Sequence, residues 1–236
     1  MIFHPSDKKR RFKTQAIVAA AGSGTRLDAS GSKMLLEING KPLIVYSLET
    51  LSRSGLIDSV IVVASEELIK VMQTLIKSYG LVKVKRTVAG GPTRVQSVAN
   101  GLKTLDADTD LVLIHDGARP LVADEIIERA VTACYSEPAV IVGVPVKPTI
   151  KRINPQDKYV EATFDRRLLW EVQTPQVFQK AVILKAHREN NDLQATDDAY
   201  LVEMIGERVK VVEGSYSNIK VTTKEDIDIA CGLLKV

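Results

Sequence analysis

Cysteine is scarce in this chain. Cys134 and Cys231 are the only two among 236 residues, and they form no CxxC pattern. Both stand in stretches that read as helical, so they are expected to be reduced thiols, and the compartment cytoplasmic. The three histidines, His4, His115 and His187, share no metal-ligand spacing, which excludes a structural zinc site. No apolar run approaches the ~18 residues of a membrane-spanning helix, so no membrane partner is expected. Low-complexity tracts are missing, and the steady recurrence of Ile, Val and Leu excludes a disordered chain. Nucleophile motifs are missing too: there is no GxSxG, no Cys–His pair at a loop, and no close carboxylate pair of the glycosidase kind.

Excess charge is small and uneven. The formal charge of +3 arises from 32 basic and 29 acidic residues. Residues 1–13 hold five bases (Lys8, Lys9, Arg10, Arg11, Lys13) and one acid (Asp7), leaving 27 basic against 28 acidic residues in the body. The leader reads as a flexible, solvated tail rather than a nucleic-acid arm. The apolar stretch behind it, Ala16 to Ala21, is shorter than the hydrophobic region of a signal peptide and runs into Gly-Ser-Gly.

What the chain does have is alternation. Gln15–Ala20, Ser59–Ala64, Val82–Val88, Leu111–His115 and Val140–Val144 read as strands apolar on both faces, as in parallel sheets. Between them Pro42–Ser52, Glu66–Ser78, Thr93–Leu105 and Asp124–Tyr135 carry apolar residues at helical intervals. This pattern predicts an α/β fold, an open and mostly parallel sheet covered by helices on both faces, within one domain from 14 to 236. Further on, Lys180–Glu189, Thr196–Ile205 and Glu225–Leu234 read as helices, and Lys210–Glu213 and Asn218–Val221 as strands.

The region 146–167 breaks the pattern. It reads as two polar strands, Thr149–Ile153 and Tyr159–Phe164, about an Asn154–Asp157 turn, with too few apolar residues for a core face. It is either a mobile surface hairpin or an arm packing on a second copy of the chain.

Three segments carry candidate chemistry. The first strand ends in AAAGSGTRL (residues 19–27), with Lys33 following. Glycines there let backbone amides approach a phosphate, while Arg26 and Lys33 supply charge. The loop is neither a dinucleotide fingerprint nor a Walker loop, since Leu27 replaces the third glycine and no GK[ST] closes it. A second glycine loop, AGGPTRVQS (89–97), follows the third strand, and HDGARP (115–120) ends the fourth. Asp116 is the best candidate to hold a divalent cation or a substrate hydroxyl, and His115 reads as a packing residue. Cations, glycines and one acid without an activated nucleophile suit phosphoryl or nucleotidyl transfer, which depends on positioning and charge stabilisation. An attacking phosphate, with a second pKa of about 6, needs no base.

In order and spacing these segments resemble the sugar-phosphate nucleotidyltransferases, most closely the 2-C-methyl-D-erythritol 4-phosphate cytidylyltransferases of non-mevalonate isoprenoid biosynthesis. The resemblance runs from about Ala16 to the C-terminus, through AAAGSGTRL with Lys33, AGGPTRVQSV, HDGARP, VPVKPTIKR, TFDRRLLWEVQTPQVF, TDDA and EGSYSNIKVT. Residues 1–13 have no counterpart in that family, and Gly117 stands where some members have Ala. The resemblance implies a Rossmann-like sheet with a hairpin dimerisation arm, and CMP transfer from CTP to a sugar phosphate with Mg²⁺, held mainly through the CTP phosphates. It implies that Arg26, Lys33, Lys220 and Arg166 serve catalysis. Ala20, Ala21, Gly22, Ser23, Gly24, Gly90, Gly91, Ser97, Asp116 and Gly117 would bind CTP. Asp116, Arg119, Thr149, Arg166, Thr196 and Lys220 would bind the acceptor, with Thr149 and Arg166 reaching it from the arm of a homodimer. Ribitol 5-phosphate cytidylyltransferases share the nucleotide loops and are the nearest rival reading. A nucleotide-binding module without turnover is the other, and the paired cations Arg26 and Lys33 speak against it.

Overall fold

The computed structural model describes residues 11–22, 32–190 and 195–234. Ser23, Gly24 and Arg26 lie outside the described residues. In chain order the elements are β1 (Thr14–Ala20), β2 (Glu37–Ile38), β3 (Lys41–Pro42), α1 (Leu43–Arg53), β4 (Ser59–Ala64), α2 (Ile69–Ser78), β5 (Val84–Ala89), α3 (Arg94–Leu102) and β6 (Leu111–Asp116). There follow α4 (Asp124–Ala133), β7 (Ala139–Pro145), β8 (Lys151–Ile153), β9 (Val160–Thr163), β10 (Trp170–Gln179), α5 (Lys180–Glu189), α6 (Asp198–Met204), β11 (Val209–Glu213) and α7 (Lys224–Leu233).

Seven strands form one Rossmann-like sheet in the order β11-β7-β10-β6-β1-β4-β5. All run parallel except β10, which is antiparallel to both its neighbours. The period-2 alternation of strand side chains divides the core. In β1, Ala16, Val18 and Ala20 face one cluster with Leu43 and Leu48 of α1, Met72 of α2, Ile127 of α4 and Ala230 of α7. Ile17 faces the other cluster, with Val95 and Val98 of α3, Ile183 of α5 and Leu201 of α6. Helices therefore cover both faces, which is why the central strands are continuously apolar.

Three expectations need correction. The third expected strand is shifted to Val84–Ala89 and forms the sheet edge, so Lys85 and Arg86 are exposed rather than buried on either face. Asn218–Val221 is not a strand. Its backbone groups bond across to loops, Val221 N–H to the Ala118 carbonyl and Asn218 N–H to that of Ser215. The strand β10 was not expected at all, because its polar residues Gln173, Thr174 and Gln176 hid its buried character.

The sheet also fixes where a ligand can sit. From β1 the chain moves outward to β4 and β5, then crosses to β6 on the other side of β1. This reversal opens a crevice at the carboxyl ends of β1 and β6. The pair β8–β9 stands apart from the main sheet with its residues almost all exposed. At the other end of the chain, Arg11 is paired with Asp58, and Lys13 with Asp106 and Asp108.

Candidate active site

A cleft of about 500 Å³ occupies this crevice. Ala19, Ala21 and Gly22 line it from the end of β1, Lys33 and Met34 from a single 3-10 turn, and Gly91, Pro92, Thr93, Arg94 and Ser97 from the start of α3. Asp116 and Ala118 come from the end of β6, and Lys220 from the loop before α7.

Each wall has a local physical cause. Thr93 caps α3 with a capping box, its hydroxyl accepting from Gln96 N–H while the Gln96 side chain accepts from Thr93 N–H. Ser97 then folds the glycine loop onto the helix: its hydroxyl accepts from Gly91 N–H at 3.0 Å and donates to the Thr93 carbonyl at 2.9 Å. Ser97 is therefore engaged in shaping the loop, although it lines the cleft. A Cβ on Gly90 would overlap Ala21 Cβ and stand 2.9 Å from Ser97 Oγ. Only glycine lets the two loops meet there. Gly117 N–H donates to the Ala19 carbonyl at 3.0 Å and ties the ends of β6 and β1 together beneath the cleft.

Asp116 is the electrostatic centre. Its Oδ2 pairs with Lys220 Nζ at 2.7 Å and its Oδ1 with Arg94 Nε at 3.4 Å. Burial alone would raise its pKa, but Arg94 and Lys220 overcome that and hold the carboxyl well below the usual carboxylate range. Asp116 N–H donates to Thr174 Oγ1 at 3.0 Å, and Thr174 Oγ1 lies 3.1 Å from His115 Nδ1. On the far side of that ring, His115 Nε2 lies 3.2 Å from the Arg119 carbonyl, which can only accept. The ring therefore carries its proton on Nε2 and takes the Thr174 proton on Nδ1. Burial, opposed only in part by Asp116, lowers the His115 pKa to about 4, so it is neutral and acts as a packing residue, as expected from the sequence.

The expected residues divide into three groups. Ala21, Gly22, Lys33, Gly91, Ser97, Asp116 and Lys220 converge on one cleft, while Ala20 is buried at the end of β1 and Gly90 packs against Ala21 and Ser97. Arg119 does not line it. Its buried guanidinium donates from Nη1 to the Asn218 carbonyl at 2.7 Å and from Nη2 to that of Val172 at 3.3 Å. Its place is behind the wall that carries Lys220. Thr149, Arg166 and Thr196 are exposed and do not line the cleft, and Arg166 Nη1 donates to the Lys147 carbonyl at 2.7 Å. Sequence reasoning passed over Arg94, which lines the cleft, and over Asp198 and His187 behind it. The signal was present in TDDA and in an arginine directly after a helix cap.

A family model described as 2-C-methyl-D-erythritol 4-phosphate cytidylyltransferase matches residues 14–235. The enzyme of that name from Alkaliphilus metalliredigens (strain QYMF) is 46% identical over 225 residues, covering 94% of this chain and 93% of the relative. That of Caldanaerobacter subterraneus subsp. tengcongensis is 45% identical over 218 residues, 91% of this chain and 96% of the relative. The crystal structure of 4-diphosphocytidyl-2C-methyl-D-erythritol synthase from Anaerococcus prevotii DSM 20548 superposes with a TM-score of 0.84 at 35% identity, covering 95% of this chain and 97% of that one. With a model spanning nearly its whole length and relatives this similar, the chain belongs to the 2-C-methyl-D-erythritol 4-phosphate cytidylyltransferase family.

Proposed function

We infer that this protein transfers CMP from CTP to 2-C-methyl-D-erythritol 4-phosphate, giving 4-diphosphocytidyl-2-C-methyl-D-erythritol and pyrophosphate, a step of isoprenoid biosynthesis. One observation carries the chemistry: Lys33, Arg94 and Lys220 gather with Asp116 about a cleft bordered by two glycine loops. A phosphate oxygen of the acceptor attacks the α-phosphorus in line, forming the new P–O bond. The bond from the α-phosphorus to the bridging oxygen breaks, and the electron pair leaves with pyrophosphate. The acceptor phosphate is already largely ionised at neutral pH, so no base is required. The task of the protein is to align the two phosphates and to offset negative charge at the α-phosphorus.

In this reading the backbone of Ala20, Ala21, Gly22, Ser23 and Gly24 and of Gly90 and Gly91 holds the nucleotide, with Ser97 and Gly117 keeping those loops in place. Arg26 and Lys33 stabilise the charge on the triphosphate, and Lys220 steadies the attacking phosphate. Asp116 orients Lys220 and faces the acceptor. Thr149, Arg166 and Thr196 complete the acceptor site, the first two from the arm of a second subunit, and Arg119 supports the wall behind Asn218. The region 14–236 acts as one nucleotidyltransferase domain with its arm at about 146–167.

Mg²⁺ fits this arrangement as a companion of the nucleotide. Among the described residues no group of three or more His, Cys, Asp or Glu could hold a metal, and Asp116 is the carboxylate on the cleft wall. The ion would therefore be held mainly by triphosphate oxygens, with Asp116 as the available protein ligand. Bound there it would neutralise part of the triphosphate charge. Among the described residues no helix is long and apolar enough to cross a membrane.

The test is pyrophosphate release from CTP with methylerythritol 4-phosphate and, separately, ribitol 5-phosphate. Release with the first acceptor alone is expected. Preference for ribitol 5-phosphate would reassign the acceptor, and release with neither would leave only a nucleotide-binding module.

A further inference from the structure

Arg94 is held from behind by two residues that do not reach the cleft. Its Nη1 donates to Asp198 Oδ2 at 2.7 Å, and the other Asp198 oxygen lies 3.1 Å from His187 Nε2. Asp198 opens α6 and is fully buried, and the His187 side chain, in the last turn of α5, is 7% exposed. Towards the cleft, Arg94 Nε meets Asp116, whose second oxygen takes Lys220. Five side chains from five separate segments thus form one line from the cleft into the α5–α6 layer. The charges alternate along it, from Lys220 through Asp116 and Arg94 to Asp198.

The line has a mechanical consequence. The backbone of Arg94 is fixed because it is the first residue of α3, but its guanidinium sits on a long, flexible lever. Asp198 anchors that head through Nη1, and in this position Nε meets a single oxygen of Asp116. Without that anchor at Nη1 the head of Arg94 can swing to set its Nε–Nη2 edge on both oxygens of Asp116, in the bidentate geometry that guanidinium favours, and displace Lys220. The start of α6 that carries Asp198 is itself fixed, because the neighbouring Asp197 side chain caps the helix by accepting from Tyr200 N–H at 2.9 Å. Stability alone does not account for the arrangement, since well-packed apolar residues often replace a buried ion pair without loss.

We propose that Asp198 and His187 are positioning residues for nucleotidyl transfer, fixing Arg94 and through it the geometry of Asp116 and Lys220 at the cleft. The proposal rests on the function given above and extends it to residues outside the site.

The experiment measures kcat and KM for both substrates by pyrophosphate release. The variants are Asp198→Asn, Arg94→Ala, their combination, His187→Gln and His187→Leu, each checked for folding by thermal unfolding. Asp198→Asn should lower kcat about tenfold to a hundredfold, the effect of a misplacement of roughly 1 Å. The KM for CTP should change by less than about threefold, because Asp198 meets the second glycine loop only through the Arg94 side chain and not through Gly90, Gly91 or Ser97. In the Arg94→Ala background the same substitution should cost less than about twofold, since its effect passes through Arg94. His187→Gln can still donate to Asp198 and should stay within about threefold of the parent, whereas His187→Leu should lose about tenfold. Equal losses from Asp198→Asn in both backgrounds, or full activity of Asp198→Asn, would overturn the proposal. If Asp198→Asn does not fold, the His187 pair decides: equal activity of the Gln and Leu variants overturns it, and rescue by Gln alone supports it. A parent protein inactive with either sugar phosphate would instead overturn the functional reading, and this proposal with it.

Discussion

Lys33 shows how a single residue gains its meaning from the site around it. Standing in a 3-10 turn capped by Ser32, whose hydroxyl accepts from Met34 N–H at 3.3 Å, it lines the same cleft as Asp116 and Lys220. A cation placed where charge develops acts mainly in the transition state. Lys33→Ala is therefore expected to lower kcat by about 10²–10³ while changing CTP affinity little. Steady-state kinetics with an independent CTP-binding measurement checks this, and unchanged turnover would remove Lys33 from the mechanism. At this scale the sequence was informative where glycine, lysine and aspartate left strand ends together. It marked Arg94 and the TDDA segment but not their pairing, because residues 94 and 198 are 104 positions apart and only the fold makes them partners.

Among the elements, β10 was the least legible. Gln173, Thr174 and Gln176 are buried, yet each polar group is met from elsewhere in the chain: Gln173 Oε1 by Asn218, Thr174 by His115 and Asp116, Gln176 Nε2 by Asp197. Binary patterning sees polar residues and reads a loop, whereas buried polar groups are tolerated once paired. The arm presents the opposite case. It was read as polar, and its strands are exposed, but Ile153, Tyr159, Val160, Phe164, Leu168, Trp170 and Val172 leave apolar surface open along and beside it. A patch of this kind, on a hairpin too small to be stable alone, fits pairing with a second copy. The protein is expected to run as a dimer in light scattering, and a monomer fully active at nanomolar concentration would contradict the arm's role. Arg166→Ala should raise the KM for the sugar phosphate about tenfold, the worth of one charge-assisted hydrogen bond, and the KM for CTP by much less.

For the molecule as a whole, the buried groups around the site set the response to acid. The unfolded chain takes up a proton on His115 near 6.5, the folded chain only near 4. Between those values the unfolded state binds more protons, so stability is fully present above about pH 6.5 and is lost as pH falls towards 4. The loss from this residue amounts to at most about 3 kcal/mol. Below that range Asp116 and Asp198, both held below the usual carboxylate range, add to the loss as they protonate. Denaturant titrations between pH 7 and pH 4 should show falling stability, and His115→Asn should flatten the slope between pH 6.5 and 4. An unchanged slope in that variant would mean His115 is not held neutral.

The amino-acid order by itself determined the layered α/β class, the strand ends that carry the glycine loops, and the residues Lys33 and Asp116, whereas Lys220 followed only from the family resemblance. All but Lys220 rest on local rules, apolar periodicity and glycine placement, that act within a few residues. The tertiary structure alone decided which charges meet. Arg119 turned inward to backbone carbonyls, Arg94 came forward into the cleft, and β10 entered the sheet antiparallel between β6 and β7. The reason is that a buried charge or amide is stable only against its partner, and the partner is supplied by the crossing of distant segments.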